Sequence, residues 1–376
     1  MIYLAYKLLK SNINLDESNS FELKFKQGFF MQLFNPKGTL CALPIATIYL
    51  PKMHTTWVSI FFIGILIGII GGTGTIGSII VKYLLQLQTH FHVLIGGRRS
   101  IKEISMSTFY NSERLKYNQM NYNNDVELDN FCSQCLLVIN AVGPSFKIND
   151  KIALHALRNN CHYIDIGGYG ILRDLLKPYE KSIEAQKLCF IIGVGWMPGI
   201  SGVFSKTIIE THLNSPENTN FNIYYGAVDN WSYSPTYDLA ASSMGKTRSY
   251  VYSHGKEIQV SPFRYTHHKF FPFIGHKKIC MPSFDEQLTQ LATSLKQIRK
   301  ISTFIMLNDY ISMGKFMFIK IFYKHNLNKA TLMLQDDYQR LVKKENKWGS
   351  VICQVSKIEP ERKIDTFYYL YTKNNF

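Results

Sequence analysis

Acidic residues are scarce in this chain: 27 Asp and Glu stand against 42 Lys and Arg in 376 residues, a net charge of +15. That balance points to an anionic partner, which could be nucleic acid, a membrane surface or a phosphorylated cofactor. No RNA- or DNA-binding motif accompanies the locally basic stretches 264–278 and 296–300, so the excess is read as solvated surface and no nucleic acid is expected. Cysteine is also sparse and odd in number, at seven. The start has no signal-peptide plan, because the apolar residues 2–9 are interrupted by Lys7 and followed by a polar stretch. Together these point to a reducing, cytoplasmic setting with free, mostly buried thiols. Cys132 and Cys135 have C-x-x-C spacing but no second pair, so packing is the favoured reading and redox or zinc chemistry the other. His267, His268 and His276 lack regular ligand spacing, and no metal is expected. No apolar run reaches the roughly 20 residues a spanning helix needs. The longest candidate, residues 57–70, is uncharged and rich in Ile, which suits a buried parallel strand. A membrane anchor is the alternative there, and no membrane partner is expected. With 46% hydrophobic and 18% charged residues, the chain is globular and long enough for two domains.

What is present centres on residues 71–77, GGTGTIG, between an apolar run (60–70) and a helix-like segment (76–87). Gly72, Gly74 and Gly77 have the G-x-G-x-x-G spacing of a dinucleotide-binding turn. Gly72 permits the sharp turn, Gly74 leaves room for a pyrophosphate, and Gly77 lets helix and strand pack closely. The free N–H groups of Thr73, Thr75 and Ile76 at the helix start would face the phosphates.

Downstream the chain alternates strand and helix, as a doubly wound α/β sheet should. Strands are expected at 91–95, 115–120, 136–140, 162–166 and 188–193, with helices at 126–135, 149–158, 173–187 and from Ser201, as cap, to about 212. At the end of the second strand an NAD-selective site would carry an acid for the ribose 2′-hydroxyl. Here Arg98 and Arg99 stand instead, and guanidinium groups suit a 2′-phosphate. NADP is therefore expected, with NAD less favoured. Ala141, Gly143 and Pro144 follow the fourth strand, where ligands bind in such sheets. Proton-relay candidates near the strand ends are His162, Asp165 and Tyr169, each with a structural alternative: a core histidine, a brace for the glycine loop, and packing.

Three phrases, VINAVGPSF (138–146), NNCHYIDIGG (159–168) and GVGWMPGISG (193–202), resemble the saccharopine dehydrogenase family, and most closely its smaller saccharopine dehydrogenase-like oxidoreductases. The likeness spans about residues 65–210. Where the family's second phrase carries a glutamate after the glycine pair, this chain has Tyr169. The resemblance implies a Rossmann domain, taken as 57–212, followed by an α+β substrate and dimerisation domain, taken as 213–376, with residues 1–56 left without assignment. It implies hydride transfer between NADP(H) and a small-molecule substrate, an opine- or amino-acid-like imine or amine or a carbonyl, and a homodimer. A catalytically silent NADP-binding sensor or scaffold is the alternative. The phrase 240–250, AASSMGKTRSY, resembles one that begins a helix beside the family's substrate cleft, and its Arg248 could hold a substrate carboxylate or lie on the helix surface. Strands are expected at 222–228 and 315–322, with a closing hairpin at 350–356 and 365–371. The relatives' closing helix has no counterpart before Phe376.

Overall fold

The computed structural model describes residues 65–373, apart from 88–90, 101–111, 169, 214–215, 245–248, 284–285 and 359–361. The expectations for residues 1–56, for the start of the apolar segment (57–64), for Tyr169 and for Arg248 lie outside the described residues.

The first part alternates as the sequence pattern predicts: β1 (Ile65–Ile70), α1 (Thr75–Gln86), β2 (Phe91–Gly97), β3 (Leu115–Gln119), α2 (Asp125–Cys132) and β4 (Leu137–Asn140). Next come α3 (Ser145–Ile148), α4 (Lys151–Arg158), β5 (His162–Asp165), α5 (Gly170–Leu176), α6 (Glu180–Ala185) and β6 (Phe190–Ile191). All pairings in this sheet are parallel, in the order β3-β2-β1-β4-β5-β6. Parallel strands covered on both faces read as unbroken apolar runs. Ile69, Val93 and Ile95 pack with Val81 of α1 on one face, while Val138 and Tyr163 pack with Leu128 and Phe131 on the other. A Cβ on Gly68 would lie 2.6 Å from Cys135 Sγ and 2.8 Å from the Phe131 ring, so helix α2 lies directly against β1 there.

Cys132, Cys135 and Cys161 all belong to this core. The Cys161 thiol donates to the carbonyls of Cys132 and Cys135, at 3.1 Å each. Burial pushes all three thiols up, those of Cys135 and Cys161 to about 12. Protonated, enclosed thiols pack; they do not exchange. Among the described residues, no cluster of His, Cys, Asp and Glu could hold a metal.

Helix α7 (Ile200–His212) leads into β7 (Thr219–Val228) and a second, mixed sheet. Ser201 does not cap α7; Gly199 occupies that position with φ +132°, and Ser201 is buried as the second residue of the helix. A Cβ on Gly199 would lie 2.1 Å from the Gly195 oxygen, so only glycine fits. Helix α8 (Tyr233–Met244) is followed by β8 (Tyr250–Ser253), β9 (Lys256–Gln259), α9 (Pro262–Tyr265), β10 (His267–Phe271) and β11 (His276–Pro282). The phrase 240–250 thus ends a helix and does not begin one. Helix α10 (Glu286–Ser294), β12 (Lys300–Leu307), α11 (Tyr310–Phe322), α12 (Leu327–Lys344), β13 (Trp348–Ile358) and β14 (Lys363–Lys373) follow. The main path of the sheet is β10-β11-β12-β7-β13-β14, and the hairpin expected at the end is β13 with β14.

The strand expected at 315–322 is a helix. Its apolar run resembles a buried strand, but the backbone N–H of Ser312 donates to Asp309 Oδ1 at 2.8 Å, an N-cap that starts α11 five residues earlier. Arg340 of α12 donates to both Asp309 carboxylate oxygens, at 2.7 and 2.9 Å, which clamps the two helices together. In the inner face of this pair, Phe316 and Ile319 pack on Ala330 and Leu334.

Candidate active site

The strand order reverses between β1 and β4, and in open α/β sheets the crevice beyond the strand ends at such a point receives the ligand. The glycine turn sits there. Gly71, at φ +84°, donates its N–H to the Gly96 carbonyl at 2.8 Å and accepts from Gly74 N–H at 2.9 Å. A Cβ on Gly77 would lie 2.1 Å from the Gly71 oxygen, so helix α1 crosses the turn in direct backbone contact. Gly74 is the N-cap of α1 and supplies no side-chain cap, which leaves N–H groups of the first turn open for an anion.

At the end of β2, the hydroxyl of Tyr117 donates to the carbonyls of Gly97 (3.0 Å) and Arg99 (2.5 Å), and Gln119 Nε2 donates to that of Arg98 at 3.4 Å. These bonds from β3 fix the backbone while both guanidinium groups remain exposed. No carboxylate among the described residues is ion-paired with either arginine.

Turn and arginines border one cleft of about 900 Å³ between the two sheets, within the range of ligand sites. Thr73, Gly74, Thr75, Ile76, Arg98 and Arg99 line it, with Ala141 and Gly143 from the β4 loop. Gly72, Gly77 and Pro144 pack behind that surface: a Cβ on Gly72 would meet Ile95 at 2.7 Å. The opposite wall includes Tyr225, Trp231, Phe316 and Lys320.

Two proton-relay candidates lie elsewhere. His162 is the first residue of β5, at its amino end, whereas the cleft lies beyond the carboxyl ends. Its ring Nδ1 accepts the Cys189 N–H at 3.0 Å, and burial pushes its pKa down, which makes it a structural histidine. Asp165 is at the correct end but is only 3% exposed and does not line the large cleft. Its Oδ2 accepts from the Tyr163 hydroxyl at 2.5 Å and from Asn140 Nδ2 at 2.8 Å, and the backbone N–H groups of Gly167 and Gly168 also donate to the carboxylate. Burial raises its pKa, and these bonds partly offset that. Since Asn140 Oδ1 also accepts the Val142 N–H at 3.0 Å, Asp165 braces the loops after β4 and β5.

Sequence reasoning missed two residues. Asp238 of α8 accepts the backbone N–H groups of Ser145 (2.9 Å) and Phe146 (3.1 Å), so the second domain caps the first helix after the β4 loop. No local signal announces a cap 93 positions away. Lys320 lines the cleft with its Nζ 5.2 Å from the centre of the Phe316 ring, and burial pushes its pKa down. It has no carboxylate partner among the described residues. Its placement was hidden by reading 315–322 as a strand.

Strand order, glycine turn and inter-sheet cleft define a two-domain dinucleotide-binding protein. Residues 67–189 match the saccharopine dehydrogenase NADP binding domain, a span that holds the first two of the three phrases. No curated protein matches the chain by sequence. Among solved structures, apo saccharopine dehydrogenase (L-Glu forming) from Saccharomyces cerevisiae is similar at TM-score 0.56 and 13% identity, over 83% of this chain and 86% of that one. Pen from Bacillus thuringiensis aligns at TM-score 0.31 and 15% identity, over 41% of this chain and 59% of its own. The yeast enzyme shares the fold of both domains.

Proposed function

We propose that the protein is an NADP-dependent oxidoreductase acting on a carboxylate-bearing imine, amine or carbonyl substrate, opine- or amino-acid-like in kind. The observation that carries this reading is that one cleft joins an anion-ready glycine turn and two arginines to a lysine on the opposite wall, all three without a carboxylate partner among the described residues. When bound, NADP(H) would supply or accept a hydride at the nicotinamide. Residues of this chain would do the rest. The first turn of α1 would hold the pyrophosphate, and Arg98 and Arg99 the 2′-phosphate. Lys320 would hold the substrate carboxylate as a charge-assisted hydrogen-bond donor, with Phe316 beside it keeping water away.

The cofactor assignment is tested by fluorescence titration. Replacing Arg98 and Arg99 together with alanine is expected to weaken NADPH about 100-fold or more and leave NADH unchanged, since each of the two charge-assisted bonds contributes roughly 1.5–3 kcal/mol. Equal loss for both nucleotides would remove the argument for NADP. The substrate assignment is tested by NADPH oxidation with 2-oxo acids and amines. In an active pair, Lys320→Met is expected to raise KM about tenfold or more with kcat little changed, because it removes uniform binding.

One observation favours a second reading, the silent NADP-binding sensor. The described carboxylates at the cleft are already engaged: Asp238 caps α3, Glu286 pairs with Arg173, and Asp229 pairs with Lys347 at 2.7 Å. Tight NADPH binding without turnover for any substrate pair would establish that reading.

A further inference from the structure

The corner between α11 and α12 is built unlike the rest of the surface. Ile321 and Phe322 are each 65% exposed, Leu332 56% and Phe318 40%. These residues are surplus to the core, because Phe316 and Ile319 on the inner face of α11 already anchor it. The Phe318 ring contacts those of Phe322 at 4.5 Å and Tyr323 at 5.6 Å, so these three rings form one cluster at the end of α11, next in sequence to Ile321. Contiguous exposed apolar surface on this scale marks an interaction site.

The surrounding charge says which kind. From Tyr310 to Gln335 the chain holds no Asp or Glu, but it carries Lys315, Lys320, Lys324 and Lys329, with His325. Lys315 pairs with Asp337 at 3.3 Å, and Lys320 turns into the cleft. Lys324, His325 and Lys329 remain, exposed at the corner and without an ion pair among the described residues. A two-fold contact between copies would set this cationic rim against itself. An anionic lipid surface satisfies both parts at once: aliphatic and aromatic side chains sink to headgroup depth while lysines meet phosphates. The net charge of +15 adds attraction from a distance.

We propose that the α11–α12 corner docks the protein on anionic membrane surfaces. The docking proposed is peripheral; no described helix is long and apolar enough to cross a membrane. It is independent of the catalytic reading.

The experiment is sedimentation of the full-length protein with phosphatidylcholine vesicles, with and without phosphatidylserine. Binding is expected only with phosphatidylserine and is expected to fall at high salt. I321D/F322D should abolish it while NADPH affinity and melting temperature stay unchanged. K324Q/K329Q should weaken it roughly thirtyfold, the effect of losing two interfacial lysines. Failure of the wild type to sediment with phosphatidylserine vesicles would overturn the proposal. So would undiminished binding of I321D/F322D. A dimer that I321D/F322D converts to monomer, with no vesicle binding by the wild type, would assign the face to a second copy of this chain.

Discussion

Gly77→Ala is expected to abolish NADPH binding, with at least a 100-fold loss of affinity, and to lower stability by about 2–3 kcal/mol. The added methyl would lie 2.1 Å from the Gly71 carbonyl oxygen and 2.8 Å from Gly72 Cα. Both obstacles are backbone, so no side-chain rotation relieves them. Helix α1 must lift off the turn, which moves its first N–H groups away from the phosphate position and breaks the packing of Val81 on β1 and β2. Gly74→Ala is the control. Its methyl approaches only the Gly71 oxygen, at 3.2 Å, and points to the cleft. It should reduce cofactor affinity with a much smaller change in melting temperature. Calorimetric titration and thermal melts of the two variants separate the roles; normal NADPH binding by Gly77→Ala would refute this account of the turn.

Asp165→Asn is expected to cost about 2–4 kcal/mol of stability, the penalty for buried polar groups that lose their partners. In the native protein the carboxylate only accepts, from Tyr163, Asn140, Gly167 and Gly168. An asparagine presents an NH2 group where one of those donors now points, so at least one N–H is left facing another inside the core. The loops after β4 and β5 would then loosen together. The outcome distinguishes bracing from proton transfer. A brace predicts a lower unfolding midpoint in urea, with weaker NADPH binding because Ala141 and Gly143 shift. A proton donor predicts an unchanged midpoint and a collapse of kcat alone.

The nucleotide half was legible because its signals are local. Unbroken apolar strands, a glycine turn between strand and helix, and arginines at the next strand end each occupy a few adjacent residues, and the parallel sheet of β1 to β6 follows from their alternation. The second sheet was less legible. Its central β12 draws register from a partner far along the chain, as in Lys300 opposite Asn220, and β10 and β11, although a local hairpin, carry no comparable pattern. Where strand and helix share an apolar run, as in α11, the deciding group was a cap at Asp309 outside the run itself.

Residue type and spacing therefore pointed by themselves to the nucleotide-binding class and to an anionic cofactor, and picked out Gly74, Arg98 and Arg99, which line the inter-sheet cleft. Only the tertiary structure decided what each titratable group does. It put His162 at the wrong end of its strand, closed Asp165 into a hydrogen-bond network, and brought Asp238 across to cap α3. It also turned Lys320 into the cleft and left Ile321 and Phe322 outside. The physical reason is that a side chain's chemistry depends on burial and on partners. Both are set by contacts between elements distant in sequence, whereas strand, turn and helix are set by neighbours.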